Sequence, residues 1–381
     1  LQWNLNGFYT RLPQLQVLMS ECRPSIMCLQ ETNFKNNHYY CHKEYTCFYK
    51  NRLLSSIASG GVAIYVDSSY QAMQIPLQTR LEAIAIEVTL KQSFSICNIY
   101  LSPSTTFSLE ELENIYHQLL HPCIIVGDFN AHNILWGSIT TSSKGTIVED
   151  FLGSTNMVLL NTGQATRINI ATGTTSALDL AFCDPSLAHI FSWSPYSYLY
   201  GSDHLPIKLD LLSQPSNPNI AVGQFKPRWN LLRANWNEYQ AEIDQNLGSL
   251  NTNMSPESVL SQLNHLIVSA AHNHIGKTKL IPRKTVPWWN VECAEALRKS
   301  KRAFNVWKRK KSQDSFIEFK KLRAQTRLII KRAKQNSWMS FVSILHSNTP
   351  TKVVWDRIKR IKGNTYQPGP AQIISHGSVI D

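Results

Sequence analysis

Short apolar runs recur through the first half of the chain, at residues 26–29, 61–66, 82–88, 94–100, 123–126, 157–160, 178–182 and 207–211. Runs of this length, bounded by turn-forming residues, predict strands. Several alternate strictly, as in Ala83-Ile84-Ala85-Ile86-Glu87-Val88, a pattern suited to antiparallel sheets with one face on a core. Between them, residues 12–20 place Leu12, Leu15 and Leu18 at helical spacing, and residues 109–120 do the same with Leu109, Leu112, Ile115, Leu119 and Leu120. The first domain is therefore predicted to be α+β, with mixed sheets and outer helices, and to end near Leu212.

The pattern then changes. Residues 213–219 are rich in Pro, Ser and Asn and read as a linker. Ser255-Pro256-Glu257 reads as an N-cap with proline in the first turn, followed by an apolar face of Leu260, Leu263, Leu266, Ile267 and Ala270. From 292 to about 345 helical spacing returns, now dense in Lys and Arg, and 363–381 are Gly- and Pro-rich with no evident partner. This divides the chain into a domain at 1–212, a linker and helical connector at 213–280, a basic helical segment at 281–362, and an expected disordered tail at 363–381.

Charge sharpens the division. The net +12 splits into 11 Lys and Arg against 16 Asp and Glu in residues 1–214, a balance of −5, and 27 against 10 in 215–381, a balance of +17. The eight cysteines form no CxxC pair and several lie in apolar runs, which points to reduced thiols and no zinc site. No run is long enough to span a bilayer and no charged, apolar, small-residue leader is present, so neither a membrane nor secretion is expected. Leu1-Gln2-Trp3 already reads as the middle of a strand, which suggests that the sequence begins inside a longer reading frame.

Polar residues cluster where strands end. Glu31 follows the run at 26–29, Asp128 and Asn130 follow that at 123–126, Asp179 interrupts 178–182, and Asp203-His204 stand before 207–211. Phosphodiester hydrolysis requires an activated water, a stabilised five-coordinate phosphorus and an assisted leaving group. A hard divalent cation on oxygen ligands meets several of these needs. Glu and Asp are suitable ligands, and a His held by a carboxylate can donate to phosphate without losing its orientation.

Six stretches occur in order: Trp3-Asn4-Leu5-Asn6-Gly7, Leu29-Gln30-Glu31-Thr32, Asn98-Ile99-Tyr100, Gly127-Asp128-Phe129-Asn130, Ser176-Ala177-Leu178-Asp179 and Ser202-Asp203-His204-Leu205-Pro206-Ile207. Over residues 1–212 they resemble the endonuclease/exonuclease/phosphatase superfamily, and within it the apurinic-type endonucleases of LINE-type (non-LTR) retrotransposons. The resemblance implies a four-layer sandwich of two packed mixed sheets flanked by helices. It implies Glu31 as principal metal ligand, Asn4, Asn6 and Asp203 near the metal, and Mg2+ or Mn2+ as the ion. Asp128 would position or deprotonate the attacking water, Asn130 would orient the phosphate, and Tyr100 would touch it. His204 would hydrogen-bond a phosphate oxygen while Asp179 holds its ring.

Two departures stand out: position 6 is Asn where many relatives carry Asp, and the Tyr-x-Pro-Asn loop reads Tyr100-Leu101-Ser102-Pro103-Ser104, one residue longer and without the Asn. The stretch from Gly127 to Gly137 is similar to arthropod jockey-like and I-like elements, in which a Pro287-Trp288-Trp289-Asn290-like stretch and a basic helix lead to a reverse transcriptase. No Tyr/Phe-Ala-Asp-Asp polymerase signature occurs within the 381 residues.

The function implied is nicking of target DNA, in the nucleus, to leave a 3′-hydroxyl that primes reverse transcription. DNA, element RNA and a downstream reverse transcriptase are the implied partners. Competing readings are an inactive nucleic-acid-binding fragment and a phosphatase or deadenylase using the same chemistry. Arg298, Lys299, Lys301, Arg302, Lys308, Arg309, Lys310 and Lys311 are either a nucleic-acid patch or a solvated helix face. His132 and Trp136 are expected to stabilise a loop or core rather than bind substrate.

Overall fold

The computed structural model describes residues 1–35, 39–42, 44–52, 58–90, 92–212, 229, 234–248, 255–276, 287–346, 349–355 and two short strands at Ile374–Ser375 and Ser378–Val379. The linker at 213–219 lies outside the described residues, as does the tail at 363–381 apart from those strands. By their packing, 1–214 and 286–381 form one unit and 215–285 another.

Two six-stranded mixed sheets form the first unit. One runs β13 (Phe191–Pro195), β14 (Ile207–Leu211), β1 (Gln2–Asn4), β2 (Ile26–Gln30), β4 (Val62–Asp67), β3 (Tyr45–Lys50). The other runs β5 (Gln71–Ile75), β6 (Glu82–Thr89), β7 (Ser93–Tyr100), β8 (Cys123–Asp128), β12 (Asp179–Cys183), β9 (Val158–Leu159). The β1–β2 and β7–β8 pairs are parallel. A small hairpin, β10 (Arg167–Ile168) with β11 (Thr175–Ser176), stands apart from both sheets.

The sheets face one another across a buried cluster that includes Val62, Ile64 and Val66 from one and Ile84, Ile86 and Val126 from the other. The alternation at 83–88 thus has a different basis from the expected half-buried sheet. Its Ile face lies between the sheets, while Ala83 and Ala85 sit under α2 (Leu109–His117) and α3 (Ser143–Thr155). Small side chains there let the helices approach the sheet. Ser108 and Glu111 form a reciprocal capping box that starts α2. A short α4 (Pro185–Ala188) precedes β13.

On the far face of the first sheet lies α1 (Phe8–Cys22), whose Leu12, Leu15 and Leu18 pack on Trp3, Met27, Leu29 and Tyr65. Helix, sheet, sheet, helix is the four-layer α+β sandwich.

The second unit contains α5 (Trp236–Leu247) and α6 (Pro256–His274), the latter capped by Ser255 with proline in its first turn. His274 and Asn273 of α6 hydrogen-bond Glu242 of α5.

The basic stretch is two helices, α7 (Val291–Lys310) and α8 (Gln313–Ser343), instead of one continuous run. Lys311 takes a left-handed conformation at φ 52°, and the Ser312 hydroxyl caps α8. No Gly or Pro marks this break. Although set apart in sequence, the two helices share the apolar cluster of the sandwich. Leu297, Phe304 and Trp307 of α7 and Phe316 and Phe319 of α8 belong with Tyr198, Leu199 and Tyr200. The Tyr198 hydroxyl meets Ser300 Oγ at 2.9 Å in a buried contact.

Candidate active site

Strand register assembles the site. Tyr100 at the end of β7 pairs with Asp128 at the end of β8, and Asp128 pairs with Asp179 at the start of β12. In the other sheet Asn4 pairs with Gln30, one residue before Glu31. Three buried amides join the two sheets beneath this rim. Gln2 donates to the Gly127 carbonyl (2.9 Å), Gln30 to Asn98 Oδ1 (2.6 Å), and Asn98 to the Leu29 and Ala63 carbonyls (both 3.0 Å). Gly127 is required here because a Cβ would fall 2.0 Å from the Ile99 carbonyl oxygen, so this approach excludes any side chain.

Site residues occupy strained backbone. Asn6, Glu31 and Asn130 have φ of 49°, 48° and 45°, in the left-handed region that Glu rarely visits. Each such residue costs roughly 1–2 kcal/mol unless, like Asn, its side chain suits the conformation. The surrounding bonds hold them there.

Asn4 Nδ2 donates to Glu31 Oε1 (3.0 Å) and Asp128 Oδ2 (2.7 Å), and its Oδ1 accepts from the Asn6 backbone (3.0 Å). The Tyr100 hydroxyl also donates to Glu31 Oε1, at 2.9 Å. Burial, reinforced by Glu31, pushes the Tyr100 phenol up, so it remains a donor. Asp203 accepts from Asn6 Nδ2 (3.2 Å) and Arg167 Nε (3.0 Å). Burial alone would raise its carboxyl, but His204, Asn6 and Arg167 outweigh burial and hold it below the ordinary value.

His204 is buried, with Nδ1 on Asp179 Oδ2 at 2.8 Å and Nε2 3.9 Å from Asp128 Oδ2. The shorter contact assigns the Nδ1 proton to the Asp179 side and leaves Nε2 directed toward the rim without a direct bond to Asp128. Burial disfavours the imidazolium, yet Asp179, Asp128 and Asp203 prevail and raise its pKa to about 10. Burial likewise pushes Asp128 up to about 7, against the opposing pull of His204. Asp179 Oδ1 is buried without a partner among the described residues.

The structure gathers Asn4, Asn6, Glu31, Tyr100, Asp128, Asn130, Asp179, Asp203 and His204 into one rim. Tyr100 is committed to Glu31, and Asn130 donates its amide to the Leu101 carbonyl at 2.9 Å while its backbone N–H caps Asp128 Oδ1. The atypical loop after Tyr100 is tied down by Lys144, which donates to the Ser102 and Pro103 carbonyls. Trp136 is fully buried and bonds the Ala131 carbonyl.

Arg167 and Thr166 carry no signal in the sequence that marks them for the site, whereas Ser202 opens the stretch that contains His204 without a role of its own being read there. Thr166 Oγ1 accepts from the Leu178 and Asp179 amides, while Ser202 Oγ bonds the Asn4 carbonyl and receives the His204 amide. Arg167 and Thr166 sit in a short polar stretch with no motif of its own, so only three-dimensional proximity reveals them. Of the basic residues, Lys301 is engaged internally, on Glu21 (3.1 Å) and over the Tyr200 ring (4.5 Å). Arg298, Lys299, Arg302, Lys308, Arg309, Lys310 and Lys311 are exposed.

Among the described residues, two groups of possible ligands have atoms within 4.8 Å of one another, Asp128–Asp179–His204 and His121–Cys123–Asp184. Neither suits a hard cation. In the first, the carboxylates and imidazole neutralise one another. In the second, Asp184 Oδ2 already accepts from His121 and the Cys123 amide, and burial holds the Cys123 thiol protonated. Glu31 fits better: its carboxylate and that of Asp203 offer at the rim the oxygen donors that Mg2+ or Mn2+ prefers, and the amide N–H groups of Asn4 and Asn6 orient them.

The sandwich of two mixed sheets, with this acidic rim and its held histidine, has the form that the resemblance of the six sequence stretches implies. Residues 94–208 match the family model described as Endonuclease-reverse transcriptase. Two Drosophila melanogaster proteins, the probable RNA-directed DNA polymerases from transposon X-element and transposon BS, are each 24% identical to the chain, over 71% and 74% of it. The chain spans only 30% and 31% of their lengths. Among solved structures, the endonuclease domain of TRAS1, a telomere-specific non-LTR retrotransposon, is 22% identical and covers 56% of this chain and 97% of its own, with a TM-score of 0.47. In these comparisons the chain is similar to the endonuclease-bearing part of non-LTR retrotransposon polyproteins.

Proposed function

We propose that this domain is a metal-dependent DNA endonuclease that nicks target DNA and leaves a 3′-hydroxyl to prime reverse transcription. The observation that carries the reading is the buried Asp179–His204 pair, its Nε2 turned to the rim where Asp128 and Glu31 meet. A divalent cation held by Glu31, with Asn4, Asn6 and Asp203 near it, would supply positive charge against the charge developing on phosphorus. Asp128 takes the proton of the attacking water, its raised pKa suiting a base near neutrality. His204 donates from Nε2 to a phosphate oxygen while Asp179 fixes its ring.

Among the nine residues gathered at the rim Tyr100 alone carries a hydroxyl or thiol, and it is held protonated on Glu31. Water is therefore the direct attacker. The phosphorus–O3′ bond breaks, giving a 3′-hydroxyl and a 5′-phosphate. With Mg2+ or Mn2+, supercoiled plasmid should become nicked before it becomes linear, and a chelator should stop the reaction. A polymerase should extend the nicks without phosphatase treatment. Cleavage that persists in excess chelator, or nicks that extend only after a 3′-phosphate is removed, would contradict the reading.

A further inference from the structure

Arg11 of α1 is buried, and its Nε has no hydrogen-bond partner among the described residues. Arg323 of α8 donates through Nη2 to the carbonyls of Gly201 (2.9 Å) and Ser202 (3.4 Å), but its Nε too is buried without a partner among them. Both feel the exposed Arg327, one turn further along α8. Burial, then repulsion from Arg327 and Arg323, lowers Arg11 to about 10. Burial and Arg327 lower Arg323 as well.

Cations that leave water are normally paired. The carboxylate acting on both Arg11 and Arg323 is Asp203, and its oxygens already accept from Asn6 and Arg167. Capping the Gly201 and Ser202 carbonyls explains Arg323, but it explains neither the burial of Arg11 nor the placing of Arg327 beside both. Three guanidinium groups with unspent donors form a site of the kind that binds phosphate, whose oxygens match the guanidinium fork.

We propose that Arg11, Arg323 and Arg327 bind a backbone phosphate of the nucleic-acid strand next to the one cleaved, so that α8 completes the substrate surface of the nuclease. This rests on the reading of the rim as a phosphodiesterase site. Ser202, whose carbonyl Arg323 caps, also accepts the His204 amide on its Oγ at 3.1 Å, so a phosphate on the arginines lies beside the scissile one.

The test is binding of a short fluorescent duplex to the full chain in chelator, across a salt series, with Arg327→Gln. A variant that holds one phosphate fewer should show a slope of log affinity against log salt lower by about 0.9, and should bind unrelated sequences more weakly to the same degree. Without DNA, removing one of three like charges should leave the melting temperature unchanged or raise it. An unchanged affinity and slope overturns the site, and so does a lowered melting temperature, which would make the cluster a structural brace. Plasmid nicking by the unaltered protein separates the two readings. Nicking with an unchanged slope in the variant refutes the arginine site alone, whereas a reduced slope without nicking leaves the site standing and refutes the nuclease.

Discussion

At the scale of single residues, the site depends on how two carboxylates divide one imidazole. Asp179 holds Nδ1 closely and Asp128 stands 3.9 Å from Nε2, so His204 can be charged and still face outward. His204→Ala should reduce nicking roughly a hundred- to a thousand-fold, the usual cost of one preorganised donor, with the far-ultraviolet spectrum unchanged. A soluble variant with full activity would remove His204 from the mechanism.

Protonation gives a second check. Asp128, raised to about 7, must be ionised to accept a proton, so the rate should climb as pH rises through that value. His204, raised to about 10, must be protonated to donate, so the rate should fall above it. The same shift stabilises the fold. Because the folded pKa exceeds the ordinary 6.5, this stabilisation is full below 6.5 and is lost as pH rises through about 10. Asp179→Asn removes the main opposing charge and should move the alkaline limb of the rate profile to lower pH. A limb that does not move would place the ionisation elsewhere.

At the scale of elements, strands with two covered faces were the most legible. The runs at 26–29, 82–88, 94–100 and 123–126 became β2, β6, β7 and β8 almost in place, because burial on both sides leaves few polar positions to blur them. Edge strands were not. β5 is Gln71-Ala72-Met73-Gln74-Ile75 and largely exposed, and β3 is mostly half-exposed, so neither carries a strong apolar signal. The residues of the rim could be read because their motifs are contiguous, whereas Arg167 and Thr166 act through folding alone.

The helical spacing of α7 and α8 was also visible, but its target was not. The receiving surface, Tyr198-Leu199-Tyr200, is an aromatic loop with no periodicity. That packing has a measurable consequence. Phe319 is fully buried beside Trp307, so Phe319→Ala should cost about 3–5 kcal/mol in chemical denaturation of the full chain. The exposed Met339→Ala, on the same helix, should cost little. Equal small effects would mean that α8 is not part of the nuclease core.

At the scale of the whole molecule, charge and chemistry are carried by different stretches of sequence. Residues 1–214 bear −5 and include the acidic rim, while 215–381 bear +17. A polyanionic substrate is repelled by the first balance and drawn by the second, and attraction of this kind comes from counterion release where cations meet phosphates. Within α7, Lys301 is already spent on Glu21, but Arg298, Lys299, Arg302 and the run Lys308 to Lys311 are exposed.

Replacing Lys308, Arg309, Lys310 and Lys311 together with Gln tests whether they touch DNA. All four are exposed at the end of α7, although Lys311 lies over the Trp307 ring, 4.9 Å from its centre, and Lys311→Gln alone is the control for any loosening of that packing. If the run binds phosphates, the salt slope of duplex binding should fall by about 0.9 for each phosphate that the variant no longer neutralises, and affinity for all sequences should drop together. If it is a solvated face, slope and affinity will match the unaltered protein within error, and the attraction must come from elsewhere in the basic part of the chain. A change confined to one target sequence would instead indicate base reading, which exposed lysines on a helix end are poorly suited to perform.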